Sequence, residues 1–306
     1  MTEQLKLKLN DSKATRWGAL VIVAFTMMAA YYVNDVVAPL KTMLETDLAW
    51  SSTDFGFFTG GYSFLNVFFL MLIWGGLILD RFGIRFTGKL ATILMVGGTA
   101  LEYYAMTGLA GADATLFGIN EIFGYKTGVF VAFAGYSIFG VGAEVAGITV
   151  SKIIAKWFKG KELATAMGVQ VALARIGSQA GYAVAIPLAR AFGISTPVLL
   201  GLVLLLGGMI AFFVFAVMDK KLDKQMEAAA IAAGTEDEEE KFSFKDVKNI
   251  LVNPGFWLIA LLCVLFYSCV FPFQKFASEL MIIKYGINEN VAGTFAGLPA
   301  LGALIG

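Results

Sequence analysis

The chain has 306 residues, of which 58% are hydrophobic and 15% charged, and its mean hydropathy is +0.76. A soluble domain carries about 25% charged residues and about half apolar ones, so these figures exclude a soluble enzyme and indicate a polytopic membrane protein. The 23 Lys and Arg balance 23 Asp and Glu, which leaves no basic excess for nucleic acid, and there is no histidine, which removes histidine catalysis, relays and metal sites together.

Residues 1–16 form a polar tail carrying Lys6, Lys8, Lys13 and Arg16. The apolar run that follows exceeds a signal-peptide core of about 7–15 residues and has no small-residue cleavage site, so it stays in the membrane. Apolar segments then recur at 17–40, 54–79, 84–108, 127–151, 162–190, 195–218, 250–276 and 290–306. About 20 apolar residues span a bilayer as a helix. The reading is an all-α membrane protein, with a six-helix bundle over 17–218, a polar linker over 219–249 and the start of a second bundle over 250–306. The acidic run Glu236 to Glu240 lies in the linker. The last apolar run reaches Gly306 without a polar cap, and the expectation is a fragment lacking about four helices of such a two-bundle architecture.

Seventeen of the 23 Lys and Arg fall in the tail and in the loops after segments two, four and six. The positive-inside rule therefore places the N-terminus and the 219–249 linker in the cytoplasm, in a multi-pass protein of the cell membrane. Trp17, Trp50 and Trp157 fall at segment ends, where interfacial anchors sit. Cys263 and Cys269 share one apolar run and read as packing residues rather than a disulfide or a metal site.

Segment two ends in Gly76, then Asp80-Arg81, Gly83 and Arg85. Arg81 and Arg85 hold such a loop on the cytoplasmic side, Gly83 permits a tight turn, and Asp80 can accept from amides at a helix N-terminus. The spacing G-x-x-x-D-R-x-G-x-R resembles the loop signature of the major facilitator superfamily, and its place between spans two and three is the one the family uses. The resemblance implies that this loop is a conformational latch between two bundles. Further stretches narrow it: Tyr62 to Asn66, Gly140-Val-Gly142-Ala-Glu144, Trp157 to Leu163, Ala174-Arg175 to Ser178, and Val270 to Phe273. They resemble the dipeptide-transporter branch of that superfamily. Tyr136 stands where that branch carries an arginine. The animal carrier of the branch works with a glycosylated partner subunit, on which this sequence is silent.

Four charges fall inside spans, where they are costly and face a cavity or a partner. Glu144 precedes Lys156 by 12 residues, about 18 Å, and Arg175 follows Lys161 by 14, about 21 Å, so the two lie at similar depth on consecutive helices. They are placed either to pair with each other or to bind the two ends of a solute. Asp35 lies about 28 Å from Arg16, nearer the outer mouth. Glu102, flanked by Tyr103 and Tyr104, reads as a carboxylate at the outer interface. Arg175 offers a planar fork for a carboxylate, and Glu144 and Asp35 offer negative charge for an ammonium. Tyr62, Asn66 and Gln170, with Tyr31, Tyr32 and Asn34, add hydrogen-bonding groups that orient a ligand or bond across helices. Gly177 and Gly181 form a small-x-x-x-small pair for close helix packing, and Pro187 and Pro272 are placed to kink spans.

The residues and the resemblance together predict a transporter of small organic solutes by alternating access, with dipeptides first. Alternatives are a carrier of a carboxylate or inorganic anion and a non-transporting membrane receptor. No cofactor is implied, and no nucleotide-binding loop is present for direct ATP drive. Uniport and symport are both open.

Overall fold

The computed structural model describes residues 8–111, 114–233 and 249–302. Lys6, the acidic run 236–240, Lys241, Lys245, Lys248 and the end of segment eight at 303–306 lie outside the described residues. Helix α1 (Lys13–Val36) starts at Ser12, whose hydroxyl caps the Thr15 amide. A 3-10 turn at Ala38–Leu40 holds Pro39 and leads into α2 (Lys41–Asp47). Helix α3 (Ser52–Phe68) opens on a reciprocal cap between Ser51 and Asp54. After α4 (Met71–Thr107), a small hairpin, β1 (Glu121–Ile122) and β2 (Tyr125–Lys126), precedes α5 (Thr127–Trp157). Then come α6 (Leu163–Phe192), α7 (Thr196–Ala233), α8 (Pro254–Tyr285) and α9 (Glu289–Gly302).

Close approaches fix the direction of each pass. Gly61 meets Phe133 and Gly75 meets Val145, so α3 and the start of α4 run parallel to α5. Beyond Gly83 the order inverts: Gly142 meets Ala91 and Met95, Gly135 meets Gly98, and Gly128 meets Leu109. The chain therefore reverses at Gly83, whose φ of 75° and ψ of 172° a side chain would resist. Segments two and three are thus separate passes joined by one glycine. The same bookkeeping puts α6 parallel to α1 (Gly177 at Met28, Gly181 at Tyr32) and α7 antiparallel to it (Gly201 at Val33, Gly208 at Thr26). Lys275 and Glu279 on α8 meet Asn34 and Lys41, which makes α8 parallel to α1, and α9 returns along α6 with Gly293 at Tyr182 and Gly297 at Gln179. Among the described residues, four helices are long and apolar enough to cross a membrane, or five if the bent pair α3 and α4 forms one span.

Several local expectations are corrected. Segment two is broken at Phe69–Leu70, with Leu70 in the left-handed region and a 58° bend between α3 and α4. Asn66 Nδ2 donates to the Tyr62 carbonyl one turn earlier (3.0 Å), a local bond that competes with the helix ladder there. Trp50 and Trp157 are buried rather than interfacial. Trp157 donates to Asp219 at 3.0 Å because an indole N–H in a packed interior needs an acceptor. Cys263 and Cys269 are free thiols, and both are exposed rather than packed. Residues 219–233, read as the start of a linker, continue α7 as helix.

Ion pairs gather at the two ends of the bundle. At the N-terminal face, fully buried Asp219 accepts from Lys156 (2.7 Å) and Arg85 (3.3 Å), and Asp223 bonds both cations at 2.5 Å. Arg16 pairs with Glu162 at 2.8 Å, and Lys161 with Asp11 at 2.5 Å. The bond from Lys161 holds the Asp11 carboxyl below its ordinary range. At the opposite face, α8 and α9 join the other helices. Buried Lys41 bonds Glu45 and Glu279, Arg190 pairs with Glu289, and the Tyr182 hydroxyl donates to the Gln274 carbonyl at 3.0 Å. The first half of α8, from Pro254 to Phe273, is largely exposed, whereas Ala277 and Ser278 are buried.

Candidate functional site

The parallel packing of α1 on α6, and of α3 on α5, brings Tyr31, Tyr62, Glu144 and Arg175 toward one region between the helices. Close packing of α1 on α6 depends on Gly177, where a Cβ would collide with the Met28 backbone. This is the close approach expected of the Gly177 and Gly181 pair. Arg175 lies with its guanidinium 5.6 Å from the centre of the Tyr31 ring, a cation–π contact that keeps the fork flat on an aromatic face. Glu144 accepts a 2.7 Å hydrogen bond from the Tyr62 hydroxyl. The Tyr31 phenol is within electrostatic reach of Arg175, Glu144 and Asp35, and of Tyr267 on α8.

Of the two arrangements open to Glu144 and Arg175, the ion pair between them does not form. Among the described residues, neither side chain has a partner of opposite charge. Tyr62 takes the carboxylate and Tyr31 the guanidinium. Both charged groups remain partly exposed. Asn66 is spent on its own helix, with its Oδ1 buried and unpartnered. Gln170, also on α6, is partly exposed.

Asp35 is placed differently from Glu144. It is buried, and it accepts from Asn34 Nδ2 at 2.8 Å and Ser178 Oγ at 2.6 Å. Lys275 of α8 stands 3.5 Å from it. The same ammonium donates to the Asn34 carbonyl at 2.5 Å and to the Tyr136 hydroxyl at 3.1 Å. Tyr136 in turn donates to the Asn34 carbonyl at 2.7 Å. Asp35 is therefore occupied by the protein's own cation, in contrast to the free mouth carboxylate that the sequence suggests. Sequence reasoning missed Lys275, which is not among the four charges it placed inside spans. Its place between Phe273 and Phe276, inside an apolar run, is the signal that marks an intramembrane charge.

Glu102 is also corrected. It is fully buried between α4 and α5, not at an interface, and both of its carboxyl oxygens lack a hydrogen-bond partner.

The signature residues after segment two lie at the N-terminal face. Asp80 accepts from Lys152 of α5 at 2.8 Å, and both are half exposed, so its partner is a lysine and not a helix N-terminus. Arg85 reaches Asp219 and Asp223 of α7. Arg81 lies over the ring of Phe82. Gly76 has open space where a side chain would start, and Gly83 makes the reversal.

Comparison with known proteins agrees with this architecture. The chain is 27% identical over 293 residues to the human lysosomal dipeptide transporter MFSD1, covering 91% of this chain and 57% of that protein. It is 32% identical over 171 residues to the protein of that name from Gallus gallus, covering 52% of this chain and 36% of that one. The chain thus spans about half the length of the curated relatives it matches. Among solved structures, a D-xylose-proton symporter superposes with a TM-score of 0.57 at 15% identity, over 94% of this chain and 66% of that one. This likeness concerns the fold alone. The model of the Major Facilitator Superfamily matches residues 20–306, and the chain belongs to that superfamily.

Proposed function

We propose that the protein carries small zwitterionic solutes, dipeptides first, across a membrane by alternating access. Arg175 takes the carboxylate and Glu144 the ammonium. The observation that carries this reading is that two opposite intramembrane charges share one region around Tyr31 and yet do not pair with each other. An unpaired charge in a low-dielectric site is costly, and a ligand with a matching charge at each end offsets both costs at once. One acid beside one arginine favours a zwitterion over the anion that the alternative reading would carry. The relatives' printed name, a dipeptide transporter, points the same way. Asp35, which holds Lys275, is reassigned from ligand contact to the joint between α1 and α8.

The architecture in this proposal is a six-helix bundle over 17–218 and the beginning of a second over 250–306. The N-terminus and residues 219–249 face the cytoplasm. The basic residues at the N-terminal face support that orientation. Asp80, Arg81, Gly83 and Arg85 then form a cytoplasmic latch, and the contacts of α8 with α1 and α6 form the closed outer side.

The test is competition for binding to the full-length protein by the free, N-acetylated and C-amidated forms of one dipeptide. Each charge-assisted hydrogen bond contributes about 1.5–3 kcal/mol. Blocking either end should therefore weaken competition by at least about tenfold, since 1.4 kcal/mol is a factor of ten. Equal competition by the N-acetylated form removes the role of Glu144 and makes the anion carrier the better reading.

A further inference from the structure

A cleft of about 540 Å³ opens between α4 and α7 near the N-terminal face, lined by Arg85 and Lys89 of α4 and by Ala216, Val217 and Lys220 of α7. Charge around it does not balance. Arg85 and Lys156 face Asp219 and Asp223, two cations against two carboxylates. Lys89 and Lys220 are left over: among the described residues, neither has a carboxylate within ion-pair distance. The Lys89 ammonium lies 5.2 Å from the centre of the Phe213 ring, which holds it at the cleft without neutralising it.

The cleft changes polarity with depth. Beyond Gly83, α4 runs away from the N-terminal face, so Lys89 lies four residues, about 6 Å, deeper than Arg85. Phe86, Lys89 and Ile93 share one face of α4 by their spacing of three and four, and Phe213, Val217 and Lys220 share one face of α7. Phe86, Ile93, Phe213 and Val217 are all exposed. Beside Lys89, the buried ring of Phe212 sits against Gly88, so the two helices touch there. Helices α8 and α9 pack on α2, α6 and the Ala38–Leu40 turn, and the cleft is walled by α4 and α7 alone. Cations therefore ring its mouth, and bare apolar side chains continue it toward the hydrocarbon.

A soluble anion has a use for the cations and none for the apolar walls. A phospholipid uses both. We propose that this cleft binds one anionic phospholipid of the leaflet at the N-terminal face: its phosphate bridges Lys89 and Lys220, and its acyl chains lie over Ile93, Phe213 and Val217. An uncompensated ammonium at the edge of the hydrocarbon is costly, and the long stem of Lys89 lets its head rise to the phosphate level. Basic pockets between membrane helices take such headgroups, and each lysine near the surface strengthens binding by roughly fivefold. The lipid adds a second electrostatic tie between α4 and α7, beside the one from Arg85 to Asp219 and Asp223. The site is independent of the cargo and separate from the Arg175 and Glu144 region.

The test uses full-length protein in dodecylmaltoside micelles and reads the midpoint of thermal denaturation as lipid is added. Dioleoylphosphatidylglycerol should raise the midpoint saturably. Dioleoylphosphatidylcholine, which has no net charge, and glycerol 3-phosphate, which has the anion without the chains, should not raise it at the same concentration. K89Q/K220Q should increase the half-saturating lipid fraction by at least about tenfold. K221Q/K224Q removes the same charge from exposed positions further along α7 and should leave that fraction unchanged. Arg85 stays intact, because it is committed to Asp219 and Asp223. No rise with phosphatidylglycerol, an equal rise with phosphatidylcholine, or an equal loss in the two double variants overturns the proposal. An equal rise with glycerol 3-phosphate overturns it in favour of a soluble anion. Should K89Q/K220Q not fold, mass spectrometry of the intact, unsubstituted protein released from micelles holding equal amounts of the two lipids decides. Preferential retention of one phosphatidylglycerol is expected, and equal retention refutes the site.

Discussion

Replacing Arg175 separates a ligand contact from a structural ion pair. In the structure the guanidinium has an aromatic neighbour 5.6 Å away and, among the described residues, no carboxylate partner. Arg175→Ala therefore strands no buried counter-charge, and the loss in stability should stay near the cation–π contribution of about 0.5–2 kcal/mol. Breaking a buried pair would cost about 3–5 kcal/mol, and the gap between the two ranges is measurable. Arg175→Lys keeps the charge but loses the fork, so one of two parallel bonds to a ligand carboxylate disappears. At about 1.5–3 kcal/mol for a bond to a charged group, dipeptide binding should weaken by roughly tenfold to more than a hundredfold. The assay pairs thermal denaturation in detergent with equilibrium binding for both variants. A stability loss of about 3 kcal/mol or more in Arg175→Ala would show that Arg175 neutralises Glu144 after all. Unchanged binding in Arg175→Lys would refute the bidentate contact.

Two further substitutions probe the N-terminal face. Asp219→Ala removes a fully buried carboxylate that serves Lys156, Arg85 and the Trp157 indole. Because Asp223 remains to hold both cations, the cost should fall at the low end for a broken buried pair, about 3 kcal/mol, read as reduced thermal stability and recovery. Asp80→Asn loses only a half-exposed pair with Lys152, so stability should change by less than about 1 kcal/mol. Turnover should nevertheless slow while ligand affinity holds. Collapsed affinity with normal turnover at saturation would move Asp80 from latch to site.

The all-α membrane character was legible in the sequence because hydrocarbon thickness sets segment length and unsatisfied backbone groups exclude anything but helix there. The reversal at Gly83 was legible for a local reason as well, since one residue without a side chain suffices for it. Glu144 and Arg175 stood out because charge inside an apolar run is rare and costly. Who pairs with whom was not legible. Spacing set Glu144 and Arg175 at similar depth, but depth says nothing of rotation about each helix, and Tyr62 and Tyr31 turned out to take the two groups. Asp35 looked free because its partner, Lys275, lies 240 residues away in the chain. Glu102 looked interfacial because its neighbours are tyrosines, yet packing of Gly98 against Gly135 draws α4 and α5 close enough to bury it. A sequence fixes what must enter the membrane, through a transfer cost that is local and additive. Which charges meet inside is decided by helix rotation and close packing, which depend on all the passes at once.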